Sequence, residues 1–480
     1  MKTESLPRLS ADCAPGLEEV FSFVPEERAY TISRIEGEVP AYVRGSYYLN
    51  GPARFLRGLQ RYRHWLDGDG MVCALHFHAD RVEVAHRFVR SAKHKDEDAA
   101  GRFFYRAFGT RFSGDRLIRG VALASPVNVS VYPFADTLLA FGEQGIPWEL
   151  DPYTLETRCE YTFGGKLNAL APFSAHPKID PATGEMINFG VSFAATQPVL
   201  NLYRISQNGE LLSRRRLSLE RPCSLHDFAL SRRYAVFYLA PYLLDMARFA
   251  NQGATLMESL SWQPELGSKL LVVSRETGAE VATIPVGSKY CLHTINAFED
   301  ESRLTVDVVE LDRPVYDQYE ELPDLFLDVP EGNPVRLVID LDRAELVGRE
   351  EIEYTSAPDF PSIDLRLSEK PYRDLWMLGI STTGRPGRKF FDQVVHCNWQ
   401  SKSVAGLWQS PAGSYLGGEP VFAPDPSGSG GAVIIQLFDT EKKASAFLLF
   451  DAHDVASGPR AVLHLDTPIH LGFHTSFQGV

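Results

Sequence analysis

Residues 431–454 read "GAVIIQLFDTEKKASAFLLFDAHD". Two mainly apolar runs, 432–438 and 444–450, flank a short polar segment. Runs this short and rich in Val, Ile, Leu and Phe predict β-strands, and a brief polar connection between them predicts a hairpin. The same pattern recurs at 45–52, 71–89, 270–286 and 303–312. The sequence therefore predicts an all-β protein.

The 480 residues contain no linker that divides the chain into independent halves. So long a series of short strands exceeds one sandwich or small barrel, whereas a β-propeller protects its strand edges by radial repetition. Blades take ~40–60 residues, so seven blades with long insertions fill the length. We predict one propeller domain over 35–480, preceded by an N-terminal extension over 1–34. Helical patterns occur only near 16–23 and 243–260.

Composition restricts the class of protein. A formal net charge of −14 argues against nucleic-acid binding, which needs a basic surface. The six cysteines are widely scattered and form no CxxC pair, which favours a reducing compartment. The first 20 residues lack a signal-peptide apolar core, and no stretch approaches ~18 consecutive apolar residues. We therefore expect a cytoplasmic protein without a membrane span.

Four histidines share one setting, beside a strand-like run with few charges nearby: His176, His226, His293 and His474. Their wide spacing excludes a zinc finger or a helix-borne pair, but it suits a propeller whose inner strands face one axis. Each histidine alone is more simply explained as a buried structural residue. Among the others, we expect His76 and His78 to be exposed and His94 to be solvated.

Acidic residues in apolar, turn-like settings complement these histidines, because a metal-bound imidazole normally donates its second N–H to a carboxylate or a carbonyl. Glu143, Asp359 and Glu419 qualify, although each could instead be a turn residue bonded to backbone. Asp227, beside His226, is expected to accept backbone hydrogen bonds and not to bind metal. The acids of "DGDGM" (67–71) do not continue into an EF-hand loop, and we interpret that segment as a turn.

Several motifs in order resemble the carotenoid cleavage oxygenase family, from about residue 35 to the end. They are "YLNGPARF" (48–55), "HWLDGDGMV" (64–72), "FSAHPKIDPATGE" (173–185), "LHDFALSRRYAVF" (225–237), "HTINAFE" (293–299), "GEPVFAP" (418–424) and "GFHTSFQG" (472–479). Within the family, these motifs most closely resemble those of the bacterial and cyanobacterial apocarotenoid oxygenases. The resemblance implies a seven-bladed β-propeller under a dome of loops and helices, with an axial metal site.

The resemblance also implies the site's composition. One Fe²⁺ per chain would be held by His176, His226, His293 and His474. The family's ligand-supporting glutamates fall on Glu143, Glu419 and Asp359. Aspartate is one methylene shorter than the usual glutamate, so Asp359 would reach its histidine through a backbone shift or a water, or the position is wrongly aligned.

The implied reaction is cleavage of a conjugated C=C bond by O2, giving two carbonyl products. Stilbene-cleaving members carry a lysine immediately before the first glutamate and a tyrosine that assists it; here these positions are Gly142 and, near the second, Phe108. An apolar site favours a carotenoid or apocarotenoid over a phenol. The residues expected to line the substrate site are Phe108, Phe141, Leu292, Phe360 and Phe473.

Alternatives to this reaction are a stilbene-cleaving dioxygenase of the same family and a non-catalytic carotenoid-binding propeller. An isomerohydrolase belongs to a narrow animal branch that this compact chain gives no reason to prefer. Residues 239–262 occupy the position of an apolar patch at the tunnel mouth, which predicts peripheral membrane contact if its side chains are exposed. Ordinary dome packing is the other explanation. No obligate protein partner is inferred.

Overall fold

The structure, a computed structural model, describes residues 14–118, 122–193, 197–315, 321–428 and 430–480. Within these residues, seven antiparallel sheets of four or five strands follow one another. The inner strands of neighbouring sheets contact one another around a common axis, so that the sheets are the blades of a propeller. The predicted seven-bladed, all-β fold is confirmed.

Five blades are four-stranded sheets in which the strands lie side by side in the order of the chain. Blade 2 contains β8 (Ser130–Phe134), β9 (Thr137–Phe141), β10 (Trp148–Leu150) and β11 (Thr157–Glu160). Blade 3 contains β12 (Lys178–Ile179), β13 (Met186–Phe193), β14 (Pro198–Ile205) and β15 (Leu211–Ser218). Blade 4 contains β16 (Ala229–Leu230), β17 (Tyr234–Leu239), β20 (Ser268–Ser274) and β21 (Glu280–Gly287). Blade 5 contains β22 (Tyr290–Asp300), β23 (Arg303–Leu311), β24 (Gly332–Asp340) and β25 (Glu345–Glu351). Blade 6 contains β26 (Asp359–Ser362), β27 (Asp374–Gly379), β28 (Gln393–Asn398) and β29 (Ser403–Gln409).

The other two blades combine strands from both ends of the chain. Blade 1 contains β1 (Arg28–Thr31), β3 (Gly45–Ala53), β6 (Asp69–Phe77), β7 (Val82–Phe88) and β34 (Thr475–Gly479). Blade 7 contains β2 (Arg34–Gly37), β30 (Ser414–Pro424), β31 (Gly431–Asp439), β32 (Ala444–Asp451) and β33 (Ala461–His464). Two small hairpins lie outside the blades: β4 (Leu56–Arg57) with β5 (Gln60–Arg61), and β18 (Tyr242–Leu244) with β19 (Leu260–Trp262).

Both chain ends close the ring. The C-terminal strand β34 forms the inner edge of blade 1, where Thr475 pairs with Leu49. The N-terminal strand β2 forms the outer edge of blade 7, where Arg34 pairs with His464. Strand β1 precedes the predicted domain start at residue 35 and already pairs with β7. Opening the ring would therefore break backbone pairing in two sheets.

The hairpin predicted from residues 431–454 is present. β31 and β32 pair from Ala432 with Asp451 to Asp439 with Ala444. Both strands are almost wholly buried, because the faces of blade 7 pack against neighbouring blades. This double burial explains why the strands are near-continuous apolar runs and do not alternate with polar residues.

Helices are few and short. The predicted helical segment near 16–23 is a single 3-10 turn, Leu17–Phe21, buried in the main core. The segment 243–260 contains only one α-helix, α2 (Met246–Asn251), which Asp245 caps. In the described ranges the other α-helix is α1 (Ala92–Ala100), capped by Ser91. Among the described residues, no helix is long and apolar enough to cross a membrane.

Two expectations about surface histidines were wrong. His76 is 4% exposed, and its Nδ1 lies 2.8 Å from the hydroxyl of Ser46. His94 is 1% exposed, because α1 packs it against the carboxylate of Asp69. Asp69 also forms buried ion pairs with Lys93 and Arg57. Of the charged residues around His94 in the sequence, Lys93 and Glu97 are buried and pair with each other, whereas Lys95, Asp96 and Asp98 are exposed.

Candidate metal centre and adjoining cavity

The four candidate histidines lie at the inner strands of four different blades. His176 and His226 come shortly before β12 and β16, His293 lies within β22, and His474 directly precedes β34. Inner strands approach the propeller axis, so residues far apart in sequence converge there. One nitrogen from each histidine lies within 4.8 Å of the nitrogens of the other three.

The distances between these nitrogens identify the atoms that face one another. Nε2 of His226 lies 2.8 Å from Nε2 of His176 and 3.1 Å from Nε2 of His293. Two nitrogens bound to one ion at about 2.1 Å and at right angles would stand about 3.0 Å apart. The spacing therefore fits a single metal ion between the rings.

Three of the four rings contact a carboxylate through Nδ1. Asp359 Oδ1 lies 2.5 Å from His293 Nδ1, and Glu143 Oε2 lies 3.0 Å from His226 Nδ1. Glu419 Oε2 lies 3.3 Å from His474 Nδ1. A carboxylate at Nδ1 keeps the proton there and leaves Nε2 with a free lone pair. Lone pairs that face one another repel, and a cation between them would remove this repulsion.

Burial of the imidazole rings disfavours their protonated, charged form. It lowers the pKa of His176 well below the ordinary value, and the neighbouring histidines add to this effect. Burial also lowers the pKa of His474 despite the attraction of Glu419. Burial opposes charge on His293 and Asp359 as well, but their mutual attraction outweighs it, so the pKa of His293 is raised and that of Asp359 is lowered.

A cavity of about 850 Å³ reaches the histidine cluster at His226 and Glu143. His226 is the most exposed of the four histidines and Glu143 the most exposed of the three carboxylates, with side chains 14% and 40% accessible. The other walls are mainly apolar and include Phe108, Phe173, Leu244, Phe249, Leu256 and Leu260. A volume of this size lies within the ~300–1,000 Å³ range of small-molecule sites.

Comparisons with known proteins agree with this geometry. The family model described as RPE65, retinal pigment epithelial membrane protein, matches residues 21–479. The chain belongs to the carotenoid cleavage oxygenase (RPE65) family. It is 28% identical to the apocarotenoid-15,15'-oxygenase of Synechocystis sp., with 93% of each chain covered. It is 29% identical to resveratrol cleavage oxygenase 1 of Aspergillus fumigatus, covering 93% of this chain and 92% of that one. It is 26% identical to an isoeugenol monooxygenase of Pseudomonas nitroreducens, covering 92% and 93%.

Solved structures of this oxygenase family superpose on nearly all of the chain. A variant of the Synechocystis apocarotenoid oxygenase matches with a TM-score of 0.89 at 25% identity, covering 98% of this chain and 100% of that one. A cobalt-substituted form of the same enzyme matches with a TM-score of 0.88 and the same coverage.

The seven residues that the family motifs indicated lie together at the axis, whereas the expected substrate-lining residues do not share one place. Phe108 lines the cavity. Phe360 and Phe473 stack with each other, and Phe360 lies against the rings of His293 and His474. Phe141, Leu292, Phe360 and Phe473 are absent from the cavity wall. Phe141 is fully buried, and its ring packs beside that of Phe173 in a core cluster of blades 2 and 3, so its place in the substrate site stays a prediction.

The segment 239–262 does not present an apolar surface. None of the exposed large hydrophobic residues of the described chain lies in it. Its apolar side chains, among them Leu244, Met246, Phe249, Leu256 and Leu260, line the cavity instead. Its other large apolar side chains, among them Leu243, Met257 and Trp262, are half-buried. Membrane contact through this segment stays a prediction.

The expectation that Asp227 accepts backbone hydrogen bonds is confirmed, but the sequence did not show which strand it would join to His226. Asp227 accepts backbone N–H bonds from Phe228 and Thr294, both at 2.8 Å, and pairs with Lys178 at 2.8 Å. It thereby ties the segment of His226 to the strand of His293. The only signal in the sequence was its place next to His226, which suggested backbone bonding but not the partner strand.

Proposed function

We propose that this chain is an iron(II)-dependent dioxygenase that cleaves a conjugated C=C bond of a carotenoid or apocarotenoid with O2, giving two carbonyl products. The observation that carries the proposal is the convergence of four imidazole nitrogens, three of them backed by carboxylates, at the end of an apolar cavity. Imidazole nitrogen suits iron, and the metal would be held by His176, His226, His293 and His474. When bound, iron(II) would supply a centre for dioxygen, because four protein ligands leave two of six positions open.

The protein itself would hold the substrate beside that centre and exclude water from it. The dome side chains of residues 244–260 close one side of the cavity with apolar groups. A polyene has no hydrogen-bonding groups along its length, so an apolar wall matches it without leaving buried polar atoms unpaired. Glu143, Asp359 and Glu419 would keep the Nδ1 protons in place and orient the rings.

The wall next to Glu143 favours a polyene over a phenol. A side chain at Gly142 would begin 2.1 Å from the hydroxyl oxygen of Ser125, so Ser125 occupies the space that a larger residue needs. No lysine precedes Glu143 to bind a phenolic group. Relatives named as resveratrol cleavage oxygenase and isoeugenol monooxygenase nevertheless make a phenylpropanoid the second candidate substrate.

The test is anaerobic reconstitution with iron(II), followed by incubation with β-apo-8′-carotenal in ¹⁸O₂-labelled air and mass spectrometry of the products. We expect two labelled carbonyl fragments with wild type and none with His226→Ala. Cleavage of resveratrol but not of the polyene would support the second candidate. Bound iron without cleavage of either would favour the carotenoid-binding propeller. Failure of wild type to bind iron would overturn the metal site itself.

A further inference from the structure

Residues 127–130 form the segment that backs two of the metal-site histidines; we call it the backing segment. The backbone N–H of His474 donates to the carbonyl of Val129 at 3.2 Å. The hydroxyl of Ser130 donates to the carbonyl of Ala175, the residue directly before His176. A shift of the backing segment would therefore move both His474 and His176.

The backing segment also reaches a third histidine through a carboxylate. The backbone N–H of Val129 donates to the carbonyl of Phe141 at 2.9 Å, and Glu143 follows two residues later. Glu143 contacts His226. One short segment thus lies behind three of the four rings, although it supplies no ligand itself.

The side chain of Asn50 clamps the backing segment from the blade 1 side. Its carboxamide nitrogen donates to the carbonyl of Val127 at 3.1 Å and to the carbonyl of Ser130 at 2.9 Å. These are the first and last residues of the segment. Val127 has a φ of 55°, a strained value for a β-branched residue, so its conformation needs outside support.

The backbone of Asn50 binds the same ligand strand. Its N–H donates to the carbonyl of His474 at 3.1 Å, and its carbonyl accepts from the N–H of Phe473 at 2.9 Å. Asn50 is fully buried, and its side-chain oxygen has no hydrogen-bond partner in the described structure. A buried unpaired carbonyl costs free energy, so Asn50 must stabilise the structure through its two side-chain N–H donors.

We propose that Asn50 is a positioning residue of the metal centre, which fixes the backing segment through both carboxamide hydrogens and thereby sets the placement of His474 and His176. This inference rests on the proposed metal site. Asn50 touches neither the ring nitrogens nor the cavity, so it acts only through the backbone that it holds.

The experiment compares metal binding by wild type, Asn50→Asp, Ser130→Ala and Asn201→Asp. Asn50→Asp keeps the side-chain shape but places carboxylate oxygens against two carbonyls. Asn201 is the matched control, because it is equally buried and its carboxamide also donates to backbone carbonyls, those of Gly190 and Val199. Metal-free chains are titrated with Co²⁺ without oxygen, the visible spectrum is recorded, and chemical denaturation gives their stability.

We expect Asn50→Asp to bind Co²⁺ at least about ten-fold more weakly than wild type and with an altered visible spectrum. Ser130→Ala, which loses only the bond to Ala175, should weaken binding by roughly three-fold or more. Asn201→Asp, whose carboxylate also faces the guanidinium of Arg214, should keep the wild-type affinity and spectrum.

Wild-type affinity and spectrum in Asn50→Asp would overturn the inference, as would a parallel loss of affinity in Asn201→Asp. If Asn50→Asp does not fold, Ser130→Ala decides, and unchanged affinity there overturns the inference. Absence of Co²⁺ binding by wild type would overturn the metal site and this inference with it. Equal binding by wild type and variant would overturn only the inference.

Discussion

Asp359 Oδ1 lies 2.5 Å from Nδ1 of His293, so the aspartate reaches its histidine directly. Phe360, the next residue, has a φ of 53° and donates its N–H to the same oxygen at 2.9 Å, which holds the carboxylate beside the ring. The contact needs no intervening water.

Replacing this carboxylate should weaken metal binding. Asp359→Asn can still accept the Nδ1 proton but carries no charge, and loss of such a partner typically costs 10–100-fold in metal affinity. We expect about ten-fold or more, measured by anaerobic Co²⁺ titration.

The matched control for this substitution is Asp374→Asn, because Asp374 accepts from His396 at 2.8 Å in blade 6, away from the cluster. That variant should bind Co²⁺ like wild type. Equal affinity of Asp359→Asn and wild type would show that the pair with His293 does not support the metal.

The sequence predicted the ring of blades and the four histidines well, for a physical reason. Propeller strands are buried on both faces, so they stand out as apolar runs, and a histidine beside such a run is brought towards the axis by the topology. The motifs around His176, His226, His293 and His474 were therefore sufficient. His94 was misplaced because a charged run is read as solvated, and only the fold shows that the carboxylate of Asp69, from β6, lies against its ring.

The dome was predicted less well. Phe141 follows the strand pattern into the core, whereas the cavity-lining residues Leu244 and Phe249 come from the short strand β18 and the short helix α2. Their orientation depends on long-range backbone contacts that leave no periodic signal. For the same reason the sequence left two explanations open for 239–262, and several of its apolar residues line the cavity.

Gly142 and Ser125 should behave as a coupled pair. Gly142→Ala would place a methyl group 2.1 Å from the Ser125 hydroxyl oxygen and 3.1 Å from the backbone nitrogen of Val127. Overpacking of this kind costs about 1–3 kcal/mol, and we expect lower stability together with weaker cleavage, since Glu143 is the next residue. Removing the hydroxyl with Ser125→Ala should restore much of the loss.

A double-mutant cycle by chemical denaturation measures this coupling. The Ser125→Ala/Gly142→Ala chain should be more stable than the sum of the single effects predicts. Strict additivity of the two substitutions would mean that the close contact at Ser125 is relieved elsewhere.

Arg106 should hold the cavity wall formed by α2. Its guanidinium donates to the carbonyls of Phe249 at 3.0 Å and Ala254 at 3.3 Å, and it pairs with Asp115 at 2.9 Å. Arg106→Ala leaves these carbonyls and the Asp115 carboxylate without that donor. We expect amide hydrogen exchange in 246–254 to rise by about ten-fold and KM for the polyene to increase more than kcat falls.

Arg111→Ala is the matched control for Arg106→Ala. Arg111 donates to the carbonyl of Gly253 in the same segment at 3.2 Å, but its side chain is 56% exposed. Replacing Arg111 should change amide hydrogen exchange in 246–254 little, because exposed charged contacts contribute little stability. Similar exchange in the two variants would show that Arg106 is not the anchor.

Asp67 gives the protein a defined pH dependence. It is 1% exposed, and burial raises its pKa to about 6, against the opposing effect of hydrogen bonds from the Gly109 N–H and the Thr110 hydroxyl. A carboxyl whose pKa is higher in the folded chain binds more protons there than in the unfolded chain. The stability that it contributes is therefore greatest below its unfolded pKa of 3.8 and falls as the pH rises to about 6.

The size of this change follows from the shift in pKa, at most about 3 kcal/mol between pH 4 and pH 7. Asp67→Asn cannot titrate, so the free energy of unfolding of wild type minus that of the variant should decrease over this range. Urea denaturation of both chains at about pH 4.5, 5.5 and 7 measures this difference. Because the other titrating groups are the same in both chains, their contribution cancels. A difference that stays constant or increases with pH would show that Asp67 is ionised with an ordinary pKa in the folded protein.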